Sequence, residues 1–245
     1  MKILVCGDVC KDVYVYGAVG KLCQEAPVAV FNPVTVVSNE GMAGNVAANL
    51  RSLGATVDLV CNSETIIKKR IVDQKSNQMI VRIDENDIVS TPINIDKINF
   101  NLYDAVIVSD YDKGFISLQD LKYISNCHKL TFLDTKKPLD KKHMGGFTFI
   151  KINEGEWQRS IEAGNDYHDW KEKLIVTLSE RGCMYQGMNY EPDAKVEVRD
   201  VSGAGDTFLA ALSYKYVETK DISASLRFAN VCAGVVVTKK GVSVI

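Results

Sequence analysis

Hydrophobic residues along this chain follow two periods that take turns. Ile3-Leu4-Val5-Cys6 is a short continuous apolar run that stops at Gly7-Asp8, which predicts a buried first strand over 2–6. Short β-branched and aromatic runs follow at 12–16 and 27–37 with no helical stretch between them. Pro27 and Pro33 suit edges or turns there. A third strand-like piece, 66–84, carries many charges. These three pieces predict an antiparallel flap outside the main sheet. Between them, Glu40-Gly41-Met42 leads as a small-residue loop into Val46, Asn49, Leu50 and Leu53 at helical spacing, with Gly54 as a stop. A strand over 56–60 comes next.

From Tyr103 onward the pattern regularises. Four stretches, 103–114, 130–136, 148–156 and 173–182, each read as a strand that ends in polar residues, and Leu118, Leu121 and Ile124 mark a helix after the first of them. Four polar endings in a row predict one polar rim of a parallel sheet, where α/β proteins place ligands. Val196 and Val198 alternate with Lys195, Glu197 and Arg199 as a strand would. Phe208, Ala211 and Leu212 then take helical spacing, a small-residue helix is predicted over 226–237, and 239–245 reads as a short closing strand. With no repeat, linker or low-complexity stretch, residues 1–245 read as one compact domain plus the flap.

Composition removes whole classes of function. The net charge is −2, without a basic block, which argues against nucleic acid or an anionic membrane as partner. No apolar run approaches the roughly 20 residues of a membrane span, and the N-terminus reads as a strand, not a signal peptide. Seven scattered cysteines without a Cys-x-x-Cys pair fit reduced thiols in a cytoplasm. His128, His143 and His168 lie far apart and read as ordinary surface or loop histidines, so no transition-metal site is expected.

The chemistry concentrates in Asp200-Val201-Ser202-Gly203-Ala204-Gly205-Asp206-Thr207-Phe208. A Gly-Ala-Gly turn opening a helix lets a ligand approach the backbone, and free N–H groups at the helix start attract phosphate or a developing oxyanion. Asp206 in the first turn then has two readings. It complements the helix dipole, or it takes a proton from an attacking hydroxyl beside that anion site.

This string resembles the C-terminal signature of the ribokinase-like (PfkB) family of sugar kinases, and Gly41 to Ala55 resembles that family's N-terminal signature. Gly7-Asp8 with Asp12 and Tyr14, Glu25-Ala26-Pro27-Val28, Arg82-Ile83-Asp84, Ser109-Asp110-Tyr111-x-Lys113-Gly114 and Asp134-x-Lys136 resemble its heptose-phosphate kinase branch, the kinase half of bifunctional ADP-heptose synthesis enzymes. The resemblance implies a three-layer α/β/α sandwich with a mostly parallel sheet and the flap as a lid. It implies Asp206 as base and Gly203, Ala204 and Gly205 as an anion hole. Asp8, Asp12, Gly41, Asn45, Lys68, Arg70, Asp110 and Lys113 would bind the sugar or sugar phosphate. Lys136, Asn153, Glu156, Thr177, Ser179, Gly182 and Asn230 would bind ATP, with Glu156 reaching Mg²⁺ through water. For Lys68 and Arg70 a solvated face is the equal alternative. A monovalent-cation requirement is left open.

Two departures stand out. Met42 occupies a place where the family has glycine. After Cys61 the chain passes directly to Ile66, where the family has a further β/α unit on the sugar-side edge. The expected activity is therefore ATP-dependent phosphorylation of a sugar hydroxyl, foremost the anomeric hydroxyl of a heptose 7-phosphate. Another sugar, sugar phosphate or nucleoside acceptor, or an idle nucleotide-binding homologue, are the alternatives. A Rossmann dehydrogenase is disfavoured because the first strand lacks Gly-x-Gly-x-x-Gly. Exposed flap edges predict a homodimer through the flap.

Overall fold

The computed structural model describes residues 1–194 and 196–245. Eight strands form the central sheet in the order β12-β11-β10-β9-β8-β7-β1-β4. They are β1 (Lys2–Gly7), β4 (Thr56–Cys61), β7 (Ala105–Asp110), β8 (Thr131–Thr135), β9 (Phe149–Asn153), β10 (Leu174–Thr177), β11 (Cys183–Tyr185) and β12 (Met188–Tyr190). All neighbours from β4 to β10 pair in parallel, and the β11–β12 hairpin adds an antiparallel edge.

Alternation along β1 shows why the sheet needs cover on both faces. Ile3 and Val5 pack with α1 (Ala43–Ser52), α6 (Ala204–Thr219) and α7 (Ile222–Val236) through Val46, Leu50, Phe208, Leu212 and Leu226. Leu4 and Cys6 point to the other core, shared with Leu121 and Ile124 of α2 (Leu118–Cys127), Met144 of α3 (Lys141–Met144) and Trp170 of α5 (Tyr167–Trp170). Strands buried on both faces carry continuous apolar runs, as in 105–108. The result is the expected three-layer sandwich.

The second sheet has the order β3-β2-β5-β6, formed by β2 (Val9–Leu22), β3 (Ala29–Met42), β5 (Ile66–Asp73) and β6 (Met79–Glu85). It corrects the expected flap in three ways. Its first strand, β2, is much longer than 12–16, and its second, β3, runs on past 37 to Met42. The piece at 66–84 is a hairpin of two strands. The sheet is not wholly antiparallel, because β2 and β5 run parallel. Glu40-Gly41-Met42 is the end of β3 and not a loop.

The strand expected at 195–199 is absent among the described residues. Lys195 lies outside them, and 196–199 is irregular, with Val196 and Val198 42% and 52% exposed. An exposed valine pair has no buried face to hold it in a sheet. Residues 239–245 are likewise not a strand. Val242 is buried there against Tyr14, and Asn39 Nδ2 donates to its carbonyl at 2.7 Å. His143 is no surface residue: it is buried, bonded to Asp140 at 2.9 Å and Gln119 at 3.2 Å.

Candidate active site

The strands β7, β8, β9 and β10 stand side by side, so their polar C-terminal ends form one rim, as the sequence pattern requires. Helix α6 begins over this rim. Gly203 is its N-cap, left-handed at φ 79°, a conformation glycine adopts without strain. The N–H of Ala204 is taken by Val201 O at 3.2 Å. Those of Gly205, an expected anion-hole donor, and of Asp206 next to it find no acceptor among the described residues, so both stay open.

Asp206 is 3% exposed. Its Oδ1 accepts from the Tyr111 hydroxyl at 2.7 Å, and its Oδ2 from Asn45 Nδ2 at 3.2 Å. Asn45 is fixed in turn, its Oδ1 accepting from Asn49 Nδ2 at 3.0 Å. Burial pushes the Asp206 carboxyl up to about 6, and the nearby Asp134 charge adds to it, while Tyr111, Asn45 and Lys151 pull the other way.

The nucleotide candidates divide. Asn153 caps α4 (Glu154–Glu162) in a reciprocal capping box with Glu156: Asn153 Oδ1 accepts from the Glu156 N–H at 2.8 Å, and Glu156 Oε2 accepts from the Asn153 N–H at 2.7 Å. Lys136 Nζ is 2.5 Å from Glu156 Oε1 and lies over the Tyr111 ring, 4.8 Å from its centroid. Burial would lower the Lys136 pKa, but Asp134 and Glu156 hold it above the usual lysine range. Lys136, Glu156 and Asp206 thus gather around Tyr111. Thr177 ends β10, while Ser179 and Gly182 turn the chain toward β11 at φ 55° and 81°. Asn230 lies farther along, where its Nδ2 donates to Tyr190 O at 2.7 Å, tying α7 to β12.

On the acceptor side, a cavity of about 100 Å³ is lined by Asp12, Met42, Lys68, Arg70, Tyr111 and Asp206 among others. Lys68 and Arg70 are not a solvated face, since their side chains are 12% and 14% exposed. Arg70 pairs with Asp12 and stacks on Tyr14. Lys68 pairs with Asp84 and Asp87, both at 3.3 Å, and Lys113 with Asp87 at 2.5 Å. Gly41 must be glycine because Cys10 and Asp12 occupy the space of a side chain. Asp8 is fully buried: Oδ2 accepts from the Tyr111 N–H at 2.7 Å, and Oδ1 has no partner. Burial raises its pKa. Asp110 faces inward to Lys137 at 2.7 Å and to the Thr135 hydroxyl at 2.6 Å. A wider cleft of about 500 Å³ lies against Asn45, between Asn39, Glu40, Lys239 and Val244, and none of the nucleotide candidates lines it.

Sequence reasoning passed over Tyr111, Asp134, Lys137 and Lys151 as site residues. Tyr111 sat in the Ser-Asp-Tyr string, and the other three sit at polar strand ends, where only the sheet order shows what they face. Met42 adopts φ 58°, ψ −132° while 3% exposed. The backbone there keeps a conformation natural to glycine although the residue has changed.

A buried carboxylate in the first turn of a glycine-opened helix, above the polar rim of a parallel sheet with a strand flap beside it, defines a phosphotransferase-type α/β protein. A model of the pfkB family of carbohydrate kinases matches residues 75–244, and the chain belongs to that family. The class that this family defines is that of the carbohydrate kinases.

Among curated proteins it is 33% identical to the bifunctional protein HldE of a Nitratiruptor species, over 98% of this chain and 62% of that protein. It is 32% identical to the HldE of Helicobacter pylori (strain J99), over 98% and 63%. The chain therefore spans less than two thirds of these relatives' length. The first alignment runs to 290 positions, 45 more than the 245 residues present, so the relative carries segments that this chain lacks. Consistent with a missing unit, β4 is the sheet's last strand and four residues, 62–65, lead from it to β5. Among solved structures, ribokinase from Thermotoga maritima superposes with a TM-score of 0.73 at 16% identity, covering 98% of this chain and 94% of that one. Arabidopsis thaliana ribokinase, complexed with ribose and ATP, gives 0.68 at 19% identity, covering 98% and 93%. These establish the shared fold. Among the described residues, no helix is long and apolar enough to cross a membrane.

Proposed function

We propose that this chain transfers the γ-phosphoryl group of ATP to the anomeric hydroxyl of a heptose 7-phosphate, with Asp206 as base. The observation that carries this reading is Asp206 itself. It lies beside the open N–H groups of Gly205 and itself, at the wall of a cavity lined by paired cations. The acceptor oxygen bonds to the γ-phosphorus while the bond to the ADP oxygen breaks, and the acceptor's proton passes to Asp206. Gly205 and Asp206 N–H groups and Lys136 would stabilise charge on the transferring group. Asp8, Asp12, Gly41 and Asn45 would hold the sugar, with Lys68, Arg70 and Lys113 toward its phosphate.

The residues present fit Mg²⁺. Among the described residues no three acidic, His or Cys side chains cluster into a protein cage. Mg²⁺ is ordinarily held by one or two carboxylates, waters and substrate phosphates. Glu156 would reach it through water, and Asp134 Oδ1, buried without a hydrogen-bond partner, leaves a carboxylate oxygen available beside it. When bound, the ion would neutralise charge on the phosphates.

The strained Met42 in the acceptor cavity and the absent edge unit favour a second reading, in which the acceptor is another sugar or sugar phosphate. We also propose that residues 1–245 act as one kinase domain, that the flap closes over the acceptor, and that two copies pair through it. The flap exposes Val34, Val36, Val81 and Ile83, by 67%, 63%, 47% and 43%.

The test is Mg-ATP-dependent ADP release against a sugar panel that includes heptose 7-phosphate. Turnover with that compound, lost in Asp206→Asn, supports the first reading. Preference for another sugar supports the second. ATP binding without transfer to any acceptor would sink both.

A further inference from the structure

Asp206 has two carboxylate oxygens, and the protein engages one from each side. Asn45 holds Oδ2 from α1. Tyr111 holds Oδ1 from the segment after β7, at the shorter distance of 2.7 Å. Tyr111 is itself clamped along its length. Its backbone N–H donates to Asp8. The residue before it, Asp110, is pinned by Thr135 and Lys137. Its ring carries the Lys136 ammonium, which reaches on to Glu156. One phenol therefore touches the acceptor-side carboxylate Asp8 through its backbone, the nucleotide-side lysine through its ring, and Asp206 through its hydroxyl. Burial, then the charges of Asp206 and Asp134, hold the phenol pKa well above its usual value, so the hydroxyl keeps its proton and donates.

We propose that Tyr111 is a positioning residue for Asp206: its hydroxyl fixes the rotation of the carboxylate and, by donating to the ionised form, keeps it ready to accept a proton. This rests on the reading of Asp206 as base. A hydrogen bond to the charged form lowers a carboxyl pKa, so loss of the phenol oxygen raises it. The other groups facing Asp206 are Asn45 from α1, Asp134 from β8, Lys136 after β8, Lys151 from β9 and Cys10 from β2. All of them stay in place when only the hydroxyl is removed, so a shift in the pH profile reports on that hydroxyl alone.

The experiment compares wild type, Tyr111→Phe and Asp206→Asn by ADP release from Mg-ATP, with the best acceptor of the panel, between pH 5 and 9. For Tyr111→Phe the acid limb of kcat/KM moves up by about one pH unit, turnover near pH 6 falls about fivefold, and KM for ATP is unchanged. Unchanged midpoint and turnover in Tyr111→Phe, with Asp206→Asn inactive, overturn the role of Tyr111 alone. Full activity of Asp206→Asn overturns the base, and the proposal with it. If Tyr111→Phe does not fold, 3-fluorotyrosine installed at position 111 keeps the shape and strengthens the donor. The acid limb then moves down, and an unmoved limb overturns the proposal.

Discussion

Lys151 Nζ lies 2.7 Å from Asp134 Oδ2, the two residues facing each other in register on β9 and β8, with side chains 4% and 2% exposed. The ammonium also stands 2.9 Å from where a side chain on Gly205 would begin, directly under the first turn of α6. Burial would raise the Asp134 pKa, but Lys151 and Lys136 outweigh it and hold the carboxyl below its usual value. A buried pair is costly to break on one side, because the surviving charge has neither water nor partner.

Lys151→Met should therefore destabilise the fold by about 3–5 kcal/mol. Lys151→Met combined with Asp134→Asn should recover part of that loss. Urea unfolding of the two variants checks it, and equal midpoints would show that the pair is not coupled.

The pH dependence of turnover follows from Asp206. Its carboxyl is pushed up to about 6, and only the ionised form accepts a proton, so activity should fall as pH drops through about 6. The same shift has the opposite sign for stability. The folded state holds the proton more tightly than the unfolded chain, so stability is lost as pH rises from about 4 through about 6. Asp206→Asn should then be inactive yet more stable at pH 8, by up to about 3 kcal/mol. Thermal unfolding at pH 8 and pH 4 tests this. A gain of the same size at both values would be the wrong outcome.

Much of this site was legible before folding was known, because the residues that act at helix starts announce themselves locally. Gly203 to Asp206 is such a case: turn glycine, orphan N–H groups and carboxylate lie within four residues. Asn153 and Glu156 form a capping box whose two members are three residues apart. Lys151 and Tyr111 were not legible. Their partners, Asp134 and Asp206, are 17 and 95 residues away; the β8–β9 register brings the first pair together, and the seat of α6 beside the end of β7 the second. The absent strand at 196–199 shows the complementary failure, in which a valid period of two had no apolar layer to cover it.

Met42 sets two effects against each other. Met42→Gly would relieve a left-handed backbone that costs about 1–3 kcal/mol. It would also empty a buried site, and removing a buried methionine side chain costs about 2–5 kcal/mol. The loss of burial outweighs the relief of strain, so the variant should be less stable by about 1–2 kcal/mol. Its acceptor cavity should be larger, which a change in KM for the acceptor without a change in KM for ATP would register.

The flap valines give a prediction about assembly. Val36→Lys on β3 places a charge on the exposed apolar face of a strand that has one unpaired edge. If copies pair there, the variant should run as a monomer where wild type runs as a dimer. Mass measured by light scattering at micromolar concentration decides it, and a wild-type monomer would remove the flap interface from consideration.

Of the four chain crossings between core and flap, after β1, β3, β4 and β6, the first three are tied together by hydrogen bonds, and the fourth returns to the third where the Ser90 N–H donates to Glu64 Oε1 at 3.0 Å. Ala43 N–H donates to Asp8 O at 3.0 Å, Asn62 Oδ1 accepts from the Val9 N–H at 2.7 Å, and Asn62 Nδ2 returns to Val9 O at 3.1 Å. A rotation of the four-stranded sheet about these crossings would carry Asp12 and Arg70, which are paired with each other, toward or away from Asp206 together, as teeth on one jaw.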